Sequence, residues 1–184
     1  MNAPEITKEI YQSYVNHFGE PDDSMFFSDE KLPDNFPDFI DIMIWRPDKE
    51  TDITTFSTIG MSTAPMKDGN RVELSFAIRK NLTEEEKNKV CIFIANLVLY
   101  PFFTETHLSW WHKLLEPGNI PVFKTAKALL FHPAFIENGF DTVETSEGTV
   151  KILNIVPLKQ EEAELREIDL IMQKLEGIDI FDPR

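Results

Sequence analysis

The sequence contains one cysteine, Cys91, in 184 residues. A lone cysteine excludes an internal disulfide and any multi-cysteine zinc site. Its place in an apolar run fits a thiol that behaves as a small buried hydrophobe. Glycine is also scarce: seven residues, so scattered that no Gly-rich phosphate loop can be formed. Basic residues are outnumbered, 18 Lys and Arg against 32 Asp and Glu, for a formal net charge of −14. That balance excludes recognition of a nucleic-acid backbone, because phosphate contacts need clustered Lys and Arg. Only four histidines occur, His17, His107, His112 and His132. His107 and His112 are not at the four-residue spacing of a zinc helix, so no metal and no cofactor is expected. The longest apolar stretch, Val90 to Phe103, is interrupted by Asn96 and Pro101. It falls short of the roughly 20 residues needed to span a membrane, and reads as a buried helix. Glu5, Lys8 and Glu9 break up the amino end, where no signal-peptide core is found, so the expected location is the cytoplasm.

Fifteen Phe, three Trp and three Tyr supply ample core-forming surface, so the acidity is no sign of disorder. At roughly 150 residues per domain the length fits a single domain spanning 1–184. The charge is uneven. Residues 1–52 hold 13 acids and 4 bases, and residues 159–184 hold 8 and 4, while the middle is nearly neutral. Solvated helix faces account for much of this. An acidic flank also attracts a basic partner and raises its encounter rate.

Local patterns give the elements. Ile6, Ile10, Tyr14 and Phe18 recur every four residues and predict a helix over Glu5–Phe18, with Gly19 ending it. Residues 20–38 are acidic and broken by Pro21, Pro33 and Pro37, and read as mostly loop. Alternation predicts a strand over Ile40–Trp45, and β-branched content another over Ile53–Ile59. After the Asp68-Gly69 turn, Val72, Leu74, Phe76 and Ile78 alternate with polar residues and predict a half-buried, half-solvated strand. Thr83 and Glu86 form a capping box that opens a helix with the stripe Val90, Ile94, Leu97 and Val98. A short helix is expected over His107–Leu115, a strand over Ala128–Phe131, and a hairpin around Glu147-Gly148. A last helix is expected over Glu161–Glu176. Strands joined by tight turns imply a mainly antiparallel β-sheet flanked by helices, an α+β fold.

Candidates for chemistry are few. Gly60-Met61-Ser62-Thr63-Ala64 approaches the Gly-x-Ser-x-Gly nucleophile elbow, but Ala64 replaces the last glycine and Pro65 follows, leaving no room for the helix an elbow requires. A small hydrolase using Ser62, or a carboxylate pair, is therefore the lesser reading. Asp41 and Glu73 lie in strands, where apolar neighbours can raise a carboxyl pKa and arginines such as Arg46, Arg71 and Arg79 can pair with it. Trp110-Trp111 is the aromatic concentration of the chain. An exposed tryptophan beside His107 and His112 would be a good anchor for a partner.

Taken in order, these segments resemble the Suppressor-of-fused (SUFU) family. The resemblance begins at His17-Phe18-Gly19-Glu20-Pro21 and runs through Ile40-Asp41-Ile42-Met43-Ile44-Trp45-Arg46-Pro47. It is most specific at Thr58-Ile59-Gly60-Met61-Ser62, Pro65-Met66 and Val72-Glu73-Leu74. His107-Leu108-Ser109-Trp110, Val150 to Leu158 and the closing Asp182-Pro183-Arg184 continue it. Trp111-His112 departs from the animal pattern, and Thr106 stands where animal members have an acidic residue that contacts their partner, so those contacts do not carry over. Short single-domain relatives are bacterial, and the resemblance implies an immunity protein that neutralises a toxin by direct binding. The expected activity is therefore protein binding without catalysis, with a basic toxin domain as the partner that suits the −14 charge. A regulatory interaction unrelated to toxins is the alternative. The expected contact residues are Gly60, Met61, Ser62, His107, Trp110 and Trp111.

Overall fold

Alternation and helical stripes become eight strands and four helices in the computed structural model, which describes residues 3–29, 32–49, 51–134 and 139–183. In chain order they are α1 (Glu5–Phe18), β1 (Asp23–Phe27), β2 (Ile40–Trp45), β3 (Thr54–Ile59), β4 (Val72–Ile78) and α2 (Glu84–Phe103). Then come β5 (Lys113–Leu114), β6 (Ala126–His132), β7 (Thr142–Thr145), β8 (Gly148–Lys159), α3 (Gln160–Ala163) and α4 (Ile168–Leu175). All strands join one sheet in the order β1-β2-β3-β4-β8-β6-β5, with β7 also paired to β8. Only the β4–β8 pair is parallel; the others are antiparallel, as the tight turns imply.

Helices cover both faces of this sheet. On one face α2 sets Val90, Ile94 and Val98 against Ile42, Phe56, Leu74, Phe76 and Phe131. On the other, α1 sets Ile6, Ile10 and Tyr14 against Met43, Ile59 and Ile152. Beside α1, Ile171 and Leu175 of α4 cover Leu130, Val156 and Leu158. Each such buried side chain contributes about 1.5–3 kcal/mol of hydrophobic stabilisation. The α2 start is as the sequence predicts: the Glu86 amide donates to Thr83 Oγ1, and the Thr83 amide to Glu86 Oε2. No helix among the described residues is long and apolar enough to cross a membrane.

The acidic segment 20–38 is mostly loop outside one strand: Asp23–Phe27 pairs with β2 and packs Met25 and Phe27 onto the core. Three local expectations are corrected. β4 is not half-solvated: α1 shields its second face, so Glu73 and Ser75 are buried there as hydrogen-bonding groups. No helix forms over His107–Leu115. The Trp111 amide instead donates to Phe131 O at 2.6 Å, and the Phe131 amide to His112 O at 3.0 Å, so the segment is drawn onto the sheet edge. The last helix is broken into α3 and α4, since Lys113 Nζ takes the Ala163 and Leu165 carbonyls that a continuous helix would use internally.

Candidate functional site

The site begins where β3 ends. Gly60 has φ +117°, and a Cβ there would lie 2.3 Å from the Phe39 carbonyl oxygen, so only glycine fits. The chain then makes one tight turn, Met61–Thr63. Its amides and hydroxyl converge on one carboxylate from the neighbouring strand. Oε1 of Glu73 accepts from the Gly60 amide at 3.0 Å, the Ser62 amide at 3.0 Å and the Ser62 hydroxyl at 2.7 Å. Oε2 accepts from Thr58 Oγ1 at 2.6 Å, and Thr58 Oγ1 in turn accepts from the Leu74 amide.

Glu73 has no exposed surface. Burial pushes its carboxyl up to about 7, against the pull of the hydrogen bonds from Thr58, Ser62 and Gly60. Nearby, Tyr14 donates to the Thr58 carbonyl at 3.0 Å; burial, then the Glu73 charge, raises its phenol well above the usual range. Arg71 does not pair with Glu73. It caps the turn, donating to Ser62 O at 2.6 Å and Thr63 O at 2.9 Å, and pairs with Glu147 of the β7–β8 hairpin at 2.9 Å. Arg46 goes to Glu84, and Arg79 to Asp52 and Asp179. Asp41 is half-buried on β2, and burial raises its carboxyl too.

Beyond the turn the chain passes Met66 and Asp68, and here it meets the second segment. The Leu108 amide lies 3.3 Å from Met66 Sδ, and His107 Nε2 lies 4.0 Å from Asp68 Oδ2. The His107 and His112 rings stand 5.0 Å apart. Trp110 is partly buried: its indole donates to Ile152 O at 3.0 Å, and Lys151 Nζ lies 5.1 Å from its ring centroid. Trp111 is the outward member of the pair, 41% exposed, with φ +71° and its ring edge-on to His132 at 4.4 Å.

The six predicted residues thus fall into two layers. Gly60, Met61 and Ser62 are buried and shape the support. His107 and Trp111 reach the surface, and Trp110 sits between. Ser62 spends its hydroxyl on Glu73 with no exposed area, so a substrate could reach it only if the turn opened. Among the described residues no group of three or more His, Cys, Asp or Glu is placed to hold a metal ion. Glu73's role as the organising acceptor is the feature that strand patterning alone misses. Its signal is the run Thr58, Gly60, Ser62, which places donors at every second residue opposite a lone acid.

Comparison with known proteins is decided by the family model for Suppressor of fused protein (SUFU), which matches residues 37–184. The chain belongs to the SUFU family. The match takes in β2 through α4, and so the whole Glu73 turn and the His107–Trp111 segment. Solved structures of SUFU proteins share the fold. A SUFU homologue from Neisseria gonorrhoeae FA 1090 superposes with a TM-score of 0.65 at 13% identity, covering 98% of this chain and 93% of that one. The SUFU protein of the Sufu–Fu complex gives 0.60 at 15% identity, covering 94% and 82%. Drosophila Suppressor of Fused gives 0.57 at 18% identity over 87% of this chain, which spans 42% of that longer protein. No curated protein sequence shows a significant match to this chain.

Proposed function

We propose that this SUFU-family chain is a non-enzymatic protein-binding module, that its contact surface centres on His107 and Trp111, and that its role is immunity, neutralising a basic toxin domain by direct binding. The observation that carries the reading is Trp111. A bulky side chain at φ +71° is held at a backbone cost of about 1–3 kcal/mol, and such strain collects at functional sites. The hydrogen bond from its own amide to Phe131 O and the one from the Phe131 amide to His112 O hold it there against β6, with 41% of its surface presented to solvent. An aromatic ring kept outward on a rigid frame is the kind of group that anchors an interface. The buried Glu73 turn supports this surface from below through Met66 and Asp68.

Two further points support the partner class. One of the structural relatives is a SUFU protein in complex with another protein, Fu. The net charge of −14 favours approach of a basic chain. The resemblance to short bacterial members supplies the immunity role. The test is capture of the tagged chain from lysate of its own source at low and moderate salt. A stoichiometric, secreted or toxin-like basic protein retained at moderate salt upholds the reading. A regulatory protein in its place leaves the module and removes the immunity role. Hydrolase activity that is lost in Ser62→Ala would overturn it.

A further inference from the structure

In a helix, His107 and His112 would point to different faces, but no helix forms over this segment. The His112 amide donates to Ser109 O at 3.2 Å, and the bend sets the two rings side by side, with centroids 5.0 Å apart and planes at 57°. Both ends of the bend are pinned. The Phe131 amide donates to His112 O at 3.0 Å, and Leu108, next to His107, is buried with its amide 3.3 Å from Met66 Sδ. The His107 side chain is 44% exposed. Among the described residues no hydrogen bond takes up a ring nitrogen of either histidine. A carboxylate stands beside the pair: Asp68 Oδ2 lies 4.0 Å from His107 Nε2, and Asp68 Oδ1 accepts from the Asn70 amide at 3.1 Å, which steadies it in its turn.

The spacing of the rings is that of two ligands on one ion. A coordinated imidazole holds its ring centre about 3.2 Å from the metal, a bond of ~2.1 Å plus ~1.1 Å from nitrogen to centroid. Two such rings at roughly 90–110° around one ion therefore stand about 4.5–5.2 Å apart. The observed 5.0 Å falls within that range. We propose that His107 and His112 form an open two-histidine site for a late first-row divalent cation, bound most tightly as Cu²⁺, with Asp68 as the residue that orients the His107 ring. Neutral imidazole suits Cu²⁺, Ni²⁺ and Zn²⁺, and Cu²⁺ heads the affinity order. A small rotation of His107 closes the hydrogen bond from Nε2 to Asp68 and leaves Nδ1 for the metal, the pairing by which carboxylates orient coordinating histidines. With two protein ligands the remaining positions go to water, in keeping with the lack of a three-residue cluster among the described residues. The net charge of −14 favours capture of a cation. The site shares His107 with the proposed contact surface, but it needs no partner and stands apart from that reading.

Titration of the full chain with Cu²⁺, read by tryptophan fluorescence and electron paramagnetic resonance, tests it. A single equivalent should bind with micromolar affinity, quench Trp111 beside His112, and show nitrogen coupling from two imidazoles. His107→Ala and His112→Ala should each weaken binding at least about tenfold, while His17→Gln, on α1, should leave it unchanged. Asp68→Asn should weaken it about tenfold and keep the coupling from both rings. Unfolding midpoints measured alongside establish that each variant is folded. Absence of binding at submillimolar Cu²⁺ overturns the proposal. So does a spectrum without imidazole nitrogen, or an affinity that neither His107→Ala nor His112→Ala reduces. An affinity unchanged in Asp68→Asn overturns the orienting role of Asp68.

Discussion

The Ser62 hydroxyl donates to Oε1 of Glu73 at 2.7 Å, and neither residue has exposed surface. This pairing turns a serine that reads like a nucleophile into part of a cradle around a buried carboxylate. Glu73→Gln would set an amide NH₂ among donors that need an acceptor, so it should cost about 2–4 kcal/mol in urea unfolding. Ser62→Ala should cost less, about 1–2 kcal/mol, because the Gly60 and Ser62 amides and Thr58 still reach the carboxylate. The same group gives a pH signature. Its folded pKa of about 7 lies above the ordinary 4.5, so the folded chain holds the proton more tightly. Its contribution is complete below the unfolded pKa and is lost as pH rises through about 7, roughly 3 kcal/mol in all. Asp23 and Glu84, lowered by Lys87, act in the opposite sense, but Glu84 is exposed and Asp23 partly so, and solvent screens both. The difference between wild-type and Glu73→Gln stability should therefore slope between about pH 4.5 and 7. A flat difference would contradict the assignment.

Gly60→Ala places a Cβ 2.3 Å from Phe39 O at φ +117°. Relief would require the Phe39 backbone to move, and with it the start of β2. The expected loss is about 3 kcal/mol or more, read as a lowered unfolding midpoint. An unchanged midpoint would mean that the turn is not held as described.

How far this was legible depends on where each residue's partner lies. α1, β2, β3, the Thr83 capping box and the β7–β8 hairpin are set by neighbours within a few residues, and periodicity reads them. The Trp111 conformation depends on Phe131, twenty residues on, and the break before α4 depends on Lys113. No local signal carries either. β1 is an edge strand whose register exists only against β2, and the prolines and acids around it read as loop. β4 shows its alternation plainly, yet which polar residues stay dry depends on α1 covering the second face. For the site, the motif around Gly60–Ser62 was visible, and its burial was not. Trp111 was visible as an aromatic, and its strain was not.

Cys91 sits on the inward face of α2, in the core, and burial pushes its thiol up to about 12. Thiolate is thus scarce at neutral pH, and reagent access requires opening of the helix. The folded chain should resist alkylation and react fully in denaturant, which makes labelling rate a probe of global opening. Rapid labelling of the native chain would show that α2 opens locally.

On the proposed reading, the acidic segment 20–38 steers the approach of a basic partner. Charge reversal at Asp29, Asp34 and Asp38 should slow association roughly 3–10-fold at low ionic strength, with the difference shrinking as salt shortens the screening length. Stopped-flow association rates across a salt series would show this. Equal rates at low salt would remove steering from the account.

The central claim is that the exposed Trp111 surface contacts the partner. The most direct measurement is the affinity of the captured partner for wild-type chain and for Trp111→Ala, with unfolding midpoints measured alongside. The account predicts that Trp111→Ala folds with little loss of stability and binds at least about tenfold more weakly, the behaviour of an anchoring aromatic. Unchanged affinity in a folded Trp111→Ala chain would contradict it.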